Sequence, residues 1–92
     1  LDPRSPRVRE ELGLVCSALE LHEEALAHFV LLSELLPDHW EIEAAIGREA
    51  VQSGDLERAR LALDVALRLA PEQEQVVALA AELSRLLNER HP

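Results

Sequence analysis

The sequence has 92 residues, a formal net charge of −9 and 48% hydrophobic residues, and its only aromatic rings are Phe29 and Trp40. A chain of this length forms one domain, and its core has to be built from Leu, Ala, Val and Ile. The negative charge excludes nucleic acid and anionic membrane surfaces as expected partners, and no stretch is long and apolar enough for membrane insertion.

Apolar spacing and helix-end residues predict an all-α chain of five helices. The first begins after Ser5, with Pro6 in its first turn, because serine caps helix N-termini and proline is tolerated just inside them. The second follows Glu20-Leu21-His22, a bend that has no glycine. The third is expected to begin with Asp38 as its N-cap and Glu41 as the capping-box partner. The predicted ranges are 6–19, 23–36, 39–53, 56–70 and 73–89.

The last two helices carry clearer signals. Gly54 supplies a left-handed residue that ends the third helix, and Asp55 caps the fourth. The fourth helix has the apolar spacing of one buried face, formed by Leu56, Ala59, Leu63, Ala66, Leu67 and Ala70. The fifth has an apolar stripe opposite polar residues, which predicts a helix that packs on the preceding pair and closes the C-terminal end. The stripe consists of Val76, Ala80, Leu83 and Leu87.

Several landmarks recur with one period of 34 residues. The pairs are Leu12-Gly13 with Ile46-Gly47, Ala25 with Ala59, Phe29 with Leu63, and Pro37 with Pro71. A period of 34 residues built from two helices is that of the tetratricopeptide repeat (TPR) family, which the sequence resembles over residues 6–73. The family's usual Trp position holds Arg9 and Glu43, and its Tyr position holds Cys16 and Ala50, so both repeats are degenerate.

The resemblance implies a short right-handed α-solenoid of antiparallel helix pairs. In this family Leu-Gly lets the two helices of a repeat approach closely, a small Ala lies at their crossing, and Pro ends the second helix. The implied divisions are 6–39 for unit 1, 40–73 for unit 2 and 74–92 for a capping helix and tail. Residues 1–5, with Leu1-Asp2-Pro3, are expected to be the remnant of an earlier repeat or a linker.

The resemblance also implies a protein-binding scaffold rather than an enzyme, with first helices that line a concave groove. The groove residues carried over are Arg7, Glu10, Leu14, Ser17, Glu41, Ala44, Arg48, Val51, Gln52, Gln75, Ala78, Glu82 and Arg85. Such a groove is mixed in charge with a small apolar floor, which suits a peptide or a partner helix. The alternative is that these residues are ordinary solvated positions of a spacer.

One ligand class is not expected in this groove. TPR domains that hold the acidic tails of cytosolic chaperones use a clamp of Lys, Arg and Asn. The matching positions here are Glu10, Leu14, Ala45, Gln75 and Leu79. None of them binds a carboxylate by charge, and Glu10 repels one.

The first helix carries a second candidate contact surface, which we call the open-edge stripe. Its residues are Val8, Leu12, Val15 and Leu19. They are expected to be exposed, covered by an earlier repeat or a second copy of the chain, or folded into the core of unit 1. The alternatives to an adaptor are therefore the end of a longer array, a self-associating module, or a regulatory domain of a larger enzyme.

The chemically versatile side chains show no catalytic, metal or cofactor pattern. His22 and His28 lie six residues apart and do not share a helix face, so surface positions are expected, and Glu24 and His28 are placed to pair weakly. The lone Cys16 is expected to be a small core residue. Trp40 is expected to pack between repeats, with an exposed interface anchor as the alternative.

Overall fold

The computed structural model describes residue 2 and residues 4–90, and the described part is helical with no strand. The five helices are α1 (Pro6–Ala18), α2 (His22–Leu35), α3 (Trp40–Ser53), α4 (Leu56–Leu69) and α5 (Glu74–Arg90). Every predicted helix is present, with each end within one residue of its expected place. Leu1 and Pro3 of the predicted remnant, and residues 91 and 92 of the tail, lie outside the described residues. In the described part, no helix combines the length and hydropathy needed to span a bilayer.

Successive helices pack against one another, and α5 also contacts α3. One core cluster joins α2 to α3 through Phe29, Leu32, Ile42 and Ile46. A second joins the pair α3 and α4 to α5, with Leu63 and Leu83 at its centre. The predicted stripe of α5 therefore packs on unit 2, with Val76 and Leu83 buried and Ala80 and Leu87 half-buried.

Trp40 and Cys16 both serve packing. Trp40 is half-buried and packs against a third cluster, formed by Ala44, Ala66 and Val76. The ring therefore helps to join unit 2 to the closing helix. Cys16 is half-buried and packs against the cluster around Phe29.

The glycine of each repeat lies where the two helices of a pair come closest. A Cβ atom built on Gly13 would lie 2.7 Å from Phe29 Cε1, and one built on Gly47 would lie 2.7 Å from Leu63 Cγ. The small side chains of Ala25 and Ala59 are fully buried. The predicted close approach of the two helices at Leu12-Gly13 and Ile46-Gly47 is therefore confirmed, because any larger residue at 13 or 47 would meet its partner helix.

Two of the predicted helix starts and one helix end are confirmed in atomic detail. Ser5 Oγ accepts a hydrogen bond from the backbone N–H of Val8 at 3.4 Å, and Asp55 Oδ1 accepts one from Arg58 at 3.1 Å. Gly54 ends α3 in the left-handed conformation, with φ of 85°.

The predicted capping box at the start of α3 is wrong. Asp38 is itself left-handed, with φ of 64°, and the N-cap position belongs to His39, which makes no side-chain cap. The carboxylate therefore lies one residue too early to accept from the first turn. His39 Nδ1 instead lies 3.0 Å from the carbonyl oxygen of Pro37.

The bend between α1 and α2 repeats the Gly54 bend without a glycine. Glu20, 34 residues before Gly54, is left-handed with φ of 61°. The backbone N–H of Leu21 donates to the carbonyl of Cys16 at 2.8 Å, as that of Asp55 donates to Ala50 at 2.9 Å. Unit 1 therefore makes the same turn with Glu20, although a glutamate disfavours the left-handed conformation.

Glu20→Gly is expected to raise the free energy of unfolding by about 0.5–1 kcal/mol, because relief of the left-handed strain exceeds the entropy that glycine adds to the unfolded chain. Urea unfolding followed by circular dichroism measures the change. Gly54→Ala is the matched reverse variant, since nothing lies within 4 Å of its added Cβ, and it is expected to lose about 1 kcal/mol. A less stable Glu20→Gly would contradict the assignment of strain.

Candidate binding groove

A cleft of about 170 Å³ lies between the two first helices of the repeats, α1 and α3. Four predicted groove residues line it, namely Glu10, Leu14, Glu41 and Arg48, together with Phe29, Leu32, Ile42 and Ala45. Pockets for small molecules commonly measure about 300–1,000 Å³. The cleft is smaller than that, and its size suits a single side chain of a peptide.

The remaining predicted groove residues do not line this cleft. Ala44 is fully buried with Ala66 and Val76, so its assignment to the groove surface is wrong. The helical period turns position 44 towards α4 and α5, whereas 41, 45 and 48 share one face. Val51 lines a separate, larger cleft with Gly54, Leu56, Leu86, Glu89 and Arg90. Arg7, Gln52, Gln75, Ala78 and Arg85 are exposed elsewhere, and Ser17 and Glu82 are half-buried.

The cations of the predicted groove are already paired with carboxylates of the same chain. Arg7 Nε lies 3.2 Å from Glu11, and Arg85 Nη1 lies 2.9 Å from Glu89. Arg48 Nε lies 3.1 Å from Glu49 Oε2. In the described part of the chain, Glu10 and Glu41 make no such pair. The charge left unpaired at the cleft is therefore negative.

A buried carboxylate behind the cleft joins three helices. Glu49 of α3 is 1% exposed, and its Oε2 accepts from Ser17 Oγ of α1 at 2.9 Å. Its Oε1 lies 2.7 Å from His22 Nδ1, at the start of α2. A carboxylate can only accept, so His22 donates through its Nδ1–H. With Arg48 as the third donor, every oxygen of Glu49 has a partner.

The pKa of Glu49 is set by two opposing effects. Burial is the largest single influence and raises the pKa of this carboxyl. The hydrogen bonds from His22, Ser17 and Arg48 lower it, and together they outweigh burial, so the pKa lies below its ordinary value. Glu49 is therefore held as a carboxylate at neutral pH.

The Glu49 network corrects what the sequence indicates for the histidines. His22 is half-buried rather than fully at the surface, and its imidazole bonds to the buried Glu49. His28 Nδ1 lies 3.2 Å from Arg9 Nη1, rather than pairing with Glu24. The 34-residue period offers a signal for Glu49, because it corresponds to Val15 and so places a charge where the first repeat has an apolar residue.

Acid is expected to destabilise the fold through Glu49. Because its folded pKa is lowered, the stability that it contributes is present above about pH 4.5 and is lost as the pH falls through the folded value. Urea unfolding at a series of pH values, for the natural chain and for Glu49→Gln, measures this contribution. The difference in unfolding free energy between the two is expected to shrink in acid. A difference that does not change with pH would contradict it.

The open-edge stripe is uncovered over most of its length. Leu12, Val15 and Leu19 are 41%, 57% and 64% exposed, and Val8 is half-buried. The equivalent face of α3 includes Ile42 and Ile46, which are buried in the cluster shared with α2. In α3 this face packs on the preceding helix, α2, whereas the corresponding face of α1 is exposed.

Comparisons with known proteins agree with this architecture. No protein-family model matches the sequence. Protein NPGR1 of Arabidopsis thaliana is 44% identical over 69 residues, which cover 73% of this chain and 10% of NPGR1. The first TPR of Spaghetti (RPAP3), solved bound to the HSP90 peptide SRMEEVD, superposes with a TM-score of 0.86 at 18% identity. That superposition covers 95% of this chain and 69% of the other. With its 34-residue period, two antiparallel helix pairs and a closing helix, the chain has the fold of a tetratricopeptide repeat domain.

Proposed function

We propose that this chain is a protein-protein interaction module that holds a peptide, or a helix of a partner protein, in the cleft between α1 and α3. The observation that carries the proposal is the apolar lining of the cleft, in which Leu14 of α1 and Ala45 of α3 join a floor of Phe29, Leu32 and Ile42. Leu14 is 53% exposed and offers apolar surface for a ligand side chain. The RPAP3 domain of the same fold holds a peptide, which supports this ligand class.

The proposal does not extend to the acidic chaperone tail. Of the positions that match the clamp, Glu10, Leu14 and Ala45 do line the cleft, but none is cationic. In the described part of the chain, Arg48 is the only cation that lines the cleft, and its guanidinium already bonds to the buried Glu49. We therefore expect no measurable binding of the SRMEEVD peptide.

Leu14→Gln is the test of the cleft. Random peptides displayed on phage would be selected on the immobilised chain, and the enriched peptides then measured against variants. Loss of the apolar contact of Leu14 is expected to weaken binding about tenfold. Leu61→Gln is the matched control, because Leu61 is 58% exposed on α4 and lies outside this cleft. It is expected to leave binding unchanged.

Two results would overturn the proposal. One is a selection that enriches no peptide. The other is a set of enriched peptides that bind Leu14→Gln as tightly as the natural chain, while circular dichroism shows equal helix content in both. Either result would remove the cleft as the binding site.

The open-edge stripe supports a second candidate function, as a junction with an earlier repeat of a longer array or of a larger enzyme, or with a second copy of the chain. Its support is the exposure of Leu12, Val15 and Leu19 in the register that α3 uses to pack on α2. Size exclusion with light scattering tests the second copy. A monomer at all concentrations would reject self-association, whereas a dimer that Val15→Gln dissociates would support it.

A further inference from the structure

We propose that the cleft between α1 and α3 selects a peptide segment that carries a basic side chain next to a compact aliphatic one. This inference rests on the proposed function, because it names the chemistry of the peptide that the cleft holds. It follows from the pairing of the charges around the cleft and from the apolar floor.

The charge of the cation in the cleft is already compensated by a carboxylate of the same chain. Among the described residues of the lining, Arg48 is the only basic one, and its Nε donates to Glu49 Oε2 at 3.1 Å. An acidic ligand that drew Arg48 away would leave the buried Glu49 with one donor fewer. Because unmet hydrogen bonds of a buried charge are costly, the network opposes an acidic peptide that has to displace Arg48 from Glu49.

The anionic side of the cleft is available. Glu10 on α1 and Glu41 on α3 line the same cleft, and within residues 4–90 neither carboxylate has an ion-pair partner. A Lys or Arg side chain of a ligand in this cleft would find an unpaired carboxylate on each of the two helices that line it. The formal net charge of −9 adds long-range attraction for a basic segment.

The apolar floor of the cleft determines which ligand side chain fits beside the basic one. It is formed by Phe29, Leu32 and Ile42, which are nearly buried, and it is flanked by Leu14 and Ala45. A volume of about 170 Å³ has room for one aliphatic side chain but not for two large aromatic side chains. An aliphatic residue beside a basic one would therefore fill the floor while its neighbour reaches the carboxylates.

The peptides selected on the chain test the inference directly. Enriched sequences are expected to share a Lys or Arg next to Val, Leu or Ile. In the strongest one, replacing the basic residues with Gln is expected to weaken binding about tenfold, and replacing them with Glu is expected to abolish it. Enriched peptides that depend on Leu14 but lack basic residues would overturn this inference and leave the proposed function standing. A selection without any Leu14-dependent peptide would overturn both.

Variants of the protein supply the second test. Glu10→Gln combined with Glu41→Gln is expected to weaken the strongest peptide about tenfold, and added salt is expected to weaken binding to the natural chain more than to this variant. Glu24→Gln combined with Glu72→Gln removes the same charge from residues outside the cleft, and a change of less than about twofold is expected. Equal losses in both double variants would show that overall charge alone attracts the peptide, and would overturn the assignment to the cleft.

Discussion

Glu49→Ala is expected to lower the free energy of unfolding by about 3 kcal/mol, because it removes the shared acceptor of three donors at the junction of α1, α2 and α3. His22 and Arg48 keep some access to water, so they do not suffer the full cost of a buried unpaired charge. Alanine also leaves a void where a well-packed side chain stood. Urea unfolding at neutral pH measures the loss.

Two control variants accompany Glu49→Ala: one keeps the shape of the side chain without its charge, and the other changes an exposed residue of the same helix. Glu49→Gln keeps the size of the side chain and one acceptor oxygen, and it is expected to lose about half as much. Gln52→Ala lies on the same helix but is exposed, and it is expected to change stability by less than about 0.5 kcal/mol. If Glu49→Ala were as stable as Gln52→Ala, the three hydrogen bonds would contribute nothing to the fold.

Gly47→Ala is expected to lower the free energy of unfolding by about 2 kcal/mol. Alanine favours a helix over glycine by about 1 kcal/mol, which alone would stabilise α3. The added Cβ would, however, lie 2.7 Å from Leu63 Cγ, and Leu63 is buried among Ala50, Ala59 and Leu83. Since Leu63 has no room to move aside, overpacking at about 3 kcal/mol outweighs the helical gain. Urea unfolding measures the net change.

A double-mutant cycle isolates that contact. Leu63→Ala by itself is expected to cost about 2–5 kcal/mol, as a buried leucine does. In the Leu63→Ala background the same Gly47→Ala change is expected to stabilise the protein by about 1 kcal/mol, because only the helical preference remains. If Gly47→Ala were equally destabilising in both backgrounds, contact with Leu63 would not be the reason for glycine at this position.

The sequence was sufficient for features that depend on neighbouring residues. The caps at Ser5 and Asp55, the left-handed Gly54 and the 34-residue period are each local or repeated patterns, and they placed five helices within one residue at every end. The same local rule failed at Asp38, because a cap acts only from one position and the helix begins one residue later than expected. Helix ends are where such rules are least precise.

The Glu49 network could not be predicted from neighbouring residues, because the partners of Glu49 are distant in sequence. Ser17 and His22 lie 32 and 27 positions from Glu49, and only the packing of three helices brings them together. The same limit applies to the cleft: Glu10, Leu14, Glu41 and Arg48, which the repeat pattern assigns to a groove, line it, whereas Ala44 is buried. Its burial follows from contact with Ala66 of α4 and Val76 of α5, which lie 22 and 32 positions away in the sequence.

The open-edge stripe also affects how the molecule responds to thermal fluctuation. In a helical solenoid each repeat is stabilised mainly by its immediate neighbours. Gly13 is the only buried residue of α1, whereas α3 buries six residues between helices on both sides. Amide hydrogens should therefore exchange fastest with solvent in α1 and most slowly in α3. Local unfolding that begins at α1 would open one wall of the cleft before the rest of the fold is lost.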